Sequence, residues 1–192
     1  MIFPFSISQH FSMHTTDHPT RTRAAMTTEQ AFFAVFCVEA LADKLGVTGD
    51  KVYTMLADDS DILDAYIVSC YDALHTQGGE YIVGELQDQM QKRGVQNHNL
   101  INDEQSLSLL RFGRAMIANR TLIGHKCANV IKSYAACADI PLREAFDIFY
   151  RSNLYLEIRH GISDMHCRSD GYLAEELQIE VNRENKGNLF SS

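Results

Sequence analysis

The chain has 192 residues, 45% of them hydrophobic, and its 25 Asp and Glu outnumber 17 Lys and Arg for a formal charge of −8. That is enough apolar material for an ordinary core, as one domain or two small halves. The acidic balance argues against broad binding to nucleic-acid phosphates, no stretch is long or apolar enough for a membrane span, and five cysteines without C-x-x-C spacing read as reduced thiols of a cytoplasmic protein.

Residues 1–26 hold Pro4, Pro19, many Ser and Thr and a single acid, Asp17, which predicts a disordered extension. His10, His14 and His18 would align on a helix, but beside Pro19 they read as incidental, and no metal site is expected. Thr27 and Gln30 stand at capping-box spacing and open a helix with Phe33, Cys37, Leu41 and Leu45 on one stripe and Phe36 and Ala40 beside it. Gly46 ends that helix. Thr48 caps a short one that turns Val52, Met55 and Leu56 inward. The acids of Asp58-Asp59-Ser60-Asp61 lack the glycine and distant Glu of a calcium loop and mark a helix end. From Ile62, the pattern Leu63, Ile67, Cys70, Leu74 predicts a helix running to His75. Gly78-Gly79 then supplies residues that accept positive φ, and a new helix begins at Glu80 with Ile82, Leu86 and Met90 inward.

This first module, 27–95, is followed by an Asn-rich linker, 96–103, and a second module, 104–183. The second predicts helices from Glu104 (Leu107, Leu110, Ile117), from Thr121 (Ile123, Cys127, Val130, Ile131, Tyr134) and after Pro141 (Ala145, Ile148, Phe149). A last helix carries Leu173, Leu177 and Val181, and residues 184–192 form a frayed tail. A repeat ties the halves together: His166, Tyr172 and Leu177 each lie 91 positions after His75, Tyr81 and Leu86, while Ile140 lies 93 after Val47. The expected fold is all-α, with two tandem diverged helical modules packed together.

Phe36-Cys37-Val38-Glu39, Leu45-Gly46-Val47, Lys51-Val52-Tyr53 and above all Tyr71-Asp72-Ala73-Leu74-His75-Thr76-Gln77-Gly78 with Tyr81-Ile82-Val83 resemble a family of short bacterial helical proteins of unknown function. The resemblance covers about residues 30 to 95. The second half is similar, more loosely, to a sister group in Phe149-Tyr150-Arg151-Ser152 and Ser169-Asp170-Gly171-Tyr172-Leu173. The resemblance implies a compact helical module in a bacterial cytoplasm. Because members are often encoded beside ADP-ribosyltransferase-like proteins, it also implies a role as partner or regulator of such a protein. It supplies no catalytic residues.

Two readings of His75 with Tyr81, and of His166 with Tyr172, stand side by side. An imidazole and a phenol at a helix break can serve as an acid/base or ligand pair, with Glu85 and Glu176 as added carboxylates. Equally, the His can bond terminal carbonyls while the Tyr leans over the bend, which makes both structural. Tyr53, Tyr66, Tyr150 and Tyr155 are candidates for a contact surface, and Arg111 and Arg114 lead a basic segment that continues through Arg120, Lys126 and Lys132. The chain has no G-x-S-x-G, G-x-x-x-x-G-K-[ST], H-E-x-x-H or G-x-G-x-x-G, so no catalytic residue, cofactor or metal ligand is assigned. The expectation is a non-enzymatic interaction or regulatory protein with a protein partner, not nucleic acid or membrane. A small-molecule-binding protein or enzyme using the His/Tyr pairs is the alternative.

Overall fold

A computed structural model describes residues 25–95 and 120–189, among which there are ten helical segments and no strand. The linker 96–103, the helix expected from Glu104 with Arg111 and Arg114, and His10, His14 and His18 lie outside the described residues.

Helix α1, Thr28–Leu45, starts where the capping box places it. The Thr27 hydroxyl accepts from the Gln30 amide at 3.3 Å and the Gln30 side chain accepts from the Thr27 amide at 2.9 Å. It stops at Gly46, whose φ of 71° is left-handed backbone that a side chain would strain. Helix α2, Gly49–Ala57, follows from Thr48, which has extended cap backbone but makes no side-chain capping bond. The continuous helix expected from Ile62 to His75 is instead a π-helical segment, Leu63–Val68, and a single α turn, α3, Tyr71–Leu74. Foreign donors disturb the ladder there: Ser69 Oγ donates to the Asp64 carbonyl at 2.7 Å, and Gln30 Nε2 donates to the Val68 carbonyl at 3.1 Å.

Helix α4, Gly79–Lys92, begins after Gly78, which is extended (φ −70°, ψ 148°) and not left-handed. Of the two glycines only Gly79 is crowded: a Cβ there would stand 3.2 Å from Phe36 Cζ, whereas one on Gly78 would meet open space. The second half contains α5, Arg120–Ala138; α6, Leu142–Arg151; α7, Asn153–His160; a 3-10 segment, Ile162–Cys167; and α8, Asp170–Leu189. Ser152 joins α6 to α7 by donating to the Phe149 carbonyl and accepting from the Tyr155 amide. Helix α8 runs on to Leu189, through residues where a frayed tail was expected.

The halves share one core. Val38, Leu41, Val52, Leu56, Leu63 and Leu86 from the first belong to the same buried cluster as Cys127, Ile131, Phe146, Phe149, Leu173 and Leu177 from the second. Helix α5 packs against α1, α6 and α8, and α1 also covers α2 and α4.

Local geometry recurs between the halves at fixed offsets. Gly46 and Asp139 both have positive φ, and the Val47 amide bonds the Ala42 carbonyl as the Ile140 amide bonds that of Ala135. Thr48 and Pro141 are both extended caps, and α2 and α6 start at Gly49 and Leu142. These pairs are all 93 apart. Farther on, α4 and α8 start at Gly79 and Asp170, 91 apart and in step with the histidines and tyrosines. The segments just before them differ, an α turn ahead of His75 and a 3-10 helix around His166.

Candidate functional site

The two His/Tyr stretches occupy helix breaks, but their side chains turn to other partners. His75, exposed at the end of α3, hydrogen-bonds the Tyr71 carbonyl through Nδ1 at 2.7 Å and stacks on the Tyr71 ring at 4.4 Å and 12°. Tyr81 is exposed on α4. His166 is half-buried; its Nδ1 has no hydrogen-bond partner, and Gly161 stands close enough that a Cβ there would be 3.5 Å away. Tyr172 is also exposed, with the Arg168 guanidinium 6.0 Å over its ring. Hydrogen bonding to Glu176, reinforced by that carboxylate's charge, raises its phenol pKa. The equivalent carboxylate of the first half, Glu85, accepts from Tyr66 at 3.1 Å, and burial followed by this bond pushes Tyr66 up to about 12. His75 and Tyr172 are thus held by separate short-range contacts, and neither break brings its His and Tyr side chains together in a shared hydrogen bond.

The titratable groups with the most altered surroundings lie inside. Glu39, on the inward face of α1 between Val35 and Ala42, is only 7% exposed. Its Oε1 accepts from Tyr155 at 3.0 Å and Tyr150 at 3.2 Å, and its Oε2 faces Arg159 Nε at 3.5 Å. Arg159 also donates to Asp43 at 2.6 Å. The Tyr155 hydroxyl accepts in turn from the Gly49 amide at 2.7 Å, and Gly49 has no room for a side chain, as a Cβ would overlap that hydroxyl. Burial raises the Glu39 pKa against the opposing pull of Arg159 and the two phenols. Burial, then the Glu39 charge, raises Tyr150, Tyr155 and the Cys127 thiol.

A second buried ion cluster sits beside the first. Arg143, 4% exposed, donates Nε and Nη2 to the two oxygens of Asp64 at 2.9 and 3.0 Å, and Nη1 to Asp147 and, at 3.5 Å, to Tyr53. Tyr53 stacks on Tyr150 at 5.4 Å and 6°, and the Arg151 guanidinium lies over the Tyr53 ring at 5.3 Å from the centroid. Both clusters cross between the halves. They form a polar seam through an apolar core in which nearly every charge meets one of opposite sign.

This seam corrects the expected contact surface. Tyr53, Tyr150 and Tyr155 are buried, because their hydroxyls find Arg143 and Glu39 as internal partners and their rings can then enter the core. Tyr66 is half-buried at the edge. Lys126, read as part of a basic face, is bound to Asp170 at 2.8 Å and to the Arg168 carbonyl. Sequence reasoning missed Glu39, yet it had a signal: a lone carboxylate at i+4 from Val35 and i−3 from Ala42 stands within an apolar stripe.

A cluster of rings reaches the surface elsewhere, at Phe36. Phe36, 43% exposed, stacks on Phe33 at 6.3 Å; Phe33 meets Tyr71 edge-on at 5.6 Å; and Tyr71 carries His75. At the offsets above, Phe33 and Phe36 correspond to Lys126 and Asn129, and Gly79 to Asp170. Where the second half joins α5 to α8 with an ion pair, the first presents rings.

Residues 32–93 match the model of a family described as Protein of unknown function (DUF3791). The matched segment is about a third of the chain and contains the whole aromatic surface, Glu39, Tyr53 and the His75–Tyr81 break. No curated protein and no solved structure matches the chain. Outside the matched segment, a cleft of about 200 Å³ has Leu154, Met165, Glu157, Glu176, Glu180 and Arg183 among its lining residues. Glu180 already caps α7 there, accepting from the Asn153 amide at 2.7 Å. Among the described residues, no group of three His, Cys, Asp or Glu is placed to hold a metal ion, and no helix is long and apolar enough to cross a membrane.

Proposed function

We propose that the protein acts by binding another protein and not by catalysis. One observation carries this reading: the family-matching segment exposes Phe36 and His75, backed by the half-buried rings of Phe33 and Tyr71, while its carboxylate with the most perturbed surroundings, Glu39, is enclosed. Clustered aromatic surface is what protein interfaces are enriched in. The resemblance of the first half supplies the partner's class, an ADP-ribosyltransferase-like protein, and a bacterial cytoplasmic setting. Five free cysteines suit a reducing compartment. The recurrences at 93 and 91 positions support descent of both halves from one duplicated module, with the second module's surface diverged away from binding.

A small-molecule site at the second break is the competing reading, and the cleft beside Met165 and Glu176 supports it. Co-expression with an ADP-ribosyltransferase-like protein separates the two. A complex that co-elutes on gel filtration and is lost with Phe36→Ser is the expected result. Failure to form that complex, together with small-molecule-induced NMR shifts at His166 and Tyr172, would replace the binding reading with its competitor.

A further inference from the structure

The aromatic surface has a charged border on one side. Asp72 and Glu80 are both exposed, and each is the sequence neighbour of a residue that builds the surface, Tyr71 and Gly79. Glu29 lies one turn before Phe33 on α1, where Lys132 shares its field. Lys44 stands two turns beyond Phe36, at the far end of the same helix. The edge formed by α3 and the start of α4 thus carries two exposed carboxylates, while at the opposite end of α1 Asp43 is paired with Arg159 and Lys44 is the exposed charge. Gly79 matters here because the lack of a side chain lets α4 approach Phe36 from one side without covering it.

We propose that this surface seats an apolar side chain carried on a Lys- and Arg-rich segment of a partner protein. The proposal rests on the binding reading above and adds the partner's chemistry. An apolar anchor gains contact area against Phe36 and Phe33. Flanking guanidinium or ammonium groups gain from Asp72 and Glu80, and from the face of Tyr71 if they reach it. An acidic segment would meet like charge at the same edge, so the border selects between partners as well as attracting one. The net charge of −8 favours approach of the same class of partner at long range.

Two fluorescein-labelled amphipathic peptides test this, identical in a Leu/Phe face and differing in whether their polar positions are Lys and Arg or Glu. Each is titrated into the full chain at about physiological ionic strength. The basic peptide should bind at least about tenfold more tightly than the acidic one. Phe36→Ser should abolish its binding with the circular dichroism spectrum unchanged, and Asp72→Lys with Glu80→Lys should reverse the preference. Equal binding, no binding of either peptide, or binding indifferent to Phe36→Ser overturns the proposal. So does a homodimer dissolved by Phe36→Ser, which makes a second copy the occupant, or basic-peptide binding that appears only when residues 1–24 are removed, which makes the chain's own segment the occupant. If the ADP-ribosyltransferase-like complex is lost with Phe36→Ser but unmoved by the double Lys variant, the binding reading stands and the charge inference fails.

Discussion

Replacing Glu39 by Ala should be far more destabilising than replacing it by Gln. Alanine removes the acceptor of two buried hydroxyls and the anion facing Arg159 in a site 7% exposed. Breaking a buried pair by deleting one partner costs about 3–5 kcal/mol. Arg159 keeps Asp43 at 2.6 Å and is itself 16% exposed, which places the cost near the lower end, about 3 kcal/mol. For a domain of this size that is a fall in Tm of roughly 6–12 °C. Glutamine keeps an acceptor oxygen for Tyr150 and Tyr155 and removes the charge that burial penalises, so its net effect at neutral pH should lie within about 1 kcal/mol of zero.

The pH dependence carries the sign. Burial raises the Glu39 pKa in the folded chain, so the folded state favours the protonated acid. The stability this contributes is complete below the unfolded pKa of about 4.3 and is lost as pH rises through the raised folded value. Urea titrations of wild type and Glu39→Gln at a series of pH values should therefore show the Gln variant gaining on wild type above pH about 4.3, with unchanged m-values. A Gln variant as unstable as the Ala variant at every pH would refute the argument. It would mean that attraction to Arg159 outweighs the cost of burying the carboxylate.

Tyr155→Phe leaves the Gly49 amide without its acceptor and should cost about 1–3 kcal/mol, with faster hydrogen exchange at Gly49. Arg143→Ala strands Asp64 and Asp147 at the seam and should cost about 3–5 kcal/mol by chemical denaturation. Thr27→Ala undoes the capping box and should cost about 1 kcal/mol without altering partner binding.

How much of this was legible in the sequence depended on whether the deciding forces were local. Helix α1 could be bounded from Thr27, Gln30 and Gly46 because a cap needs only its own neighbours. The all-α class followed from apolar spacing, which the buried Ile82, Leu86, Leu173 and Leu177 satisfy. The π segment could not be read, since one of its disturbing donors, Gln30, is 38 positions away from Val68. The tyrosines were misplaced for the same reason: Tyr150 and Tyr155 look amphipathic until Glu39, more than a hundred residues earlier, supplies their hydroxyls with a buried acceptor. The shared His/Tyr spacing was visible, but the contacts of His75 with Tyr71 and of Tyr172 with Glu176 come from within one turn of chain and link no His to its Tyr.

The spacing between Glu39 and its phenols has a consequence during synthesis. Tyr155 follows Glu39 by 116 positions. At ribosomal rates of about 5–20 residues per second, the carboxylate waits roughly 6–23 s for its second hydroxyl to be made. Throughout that interval the nascent first half has neither its Arg159 counter-ion nor the cover of the later helices, so it is the unfinished chain, more than the completed one, that would engage a chaperone.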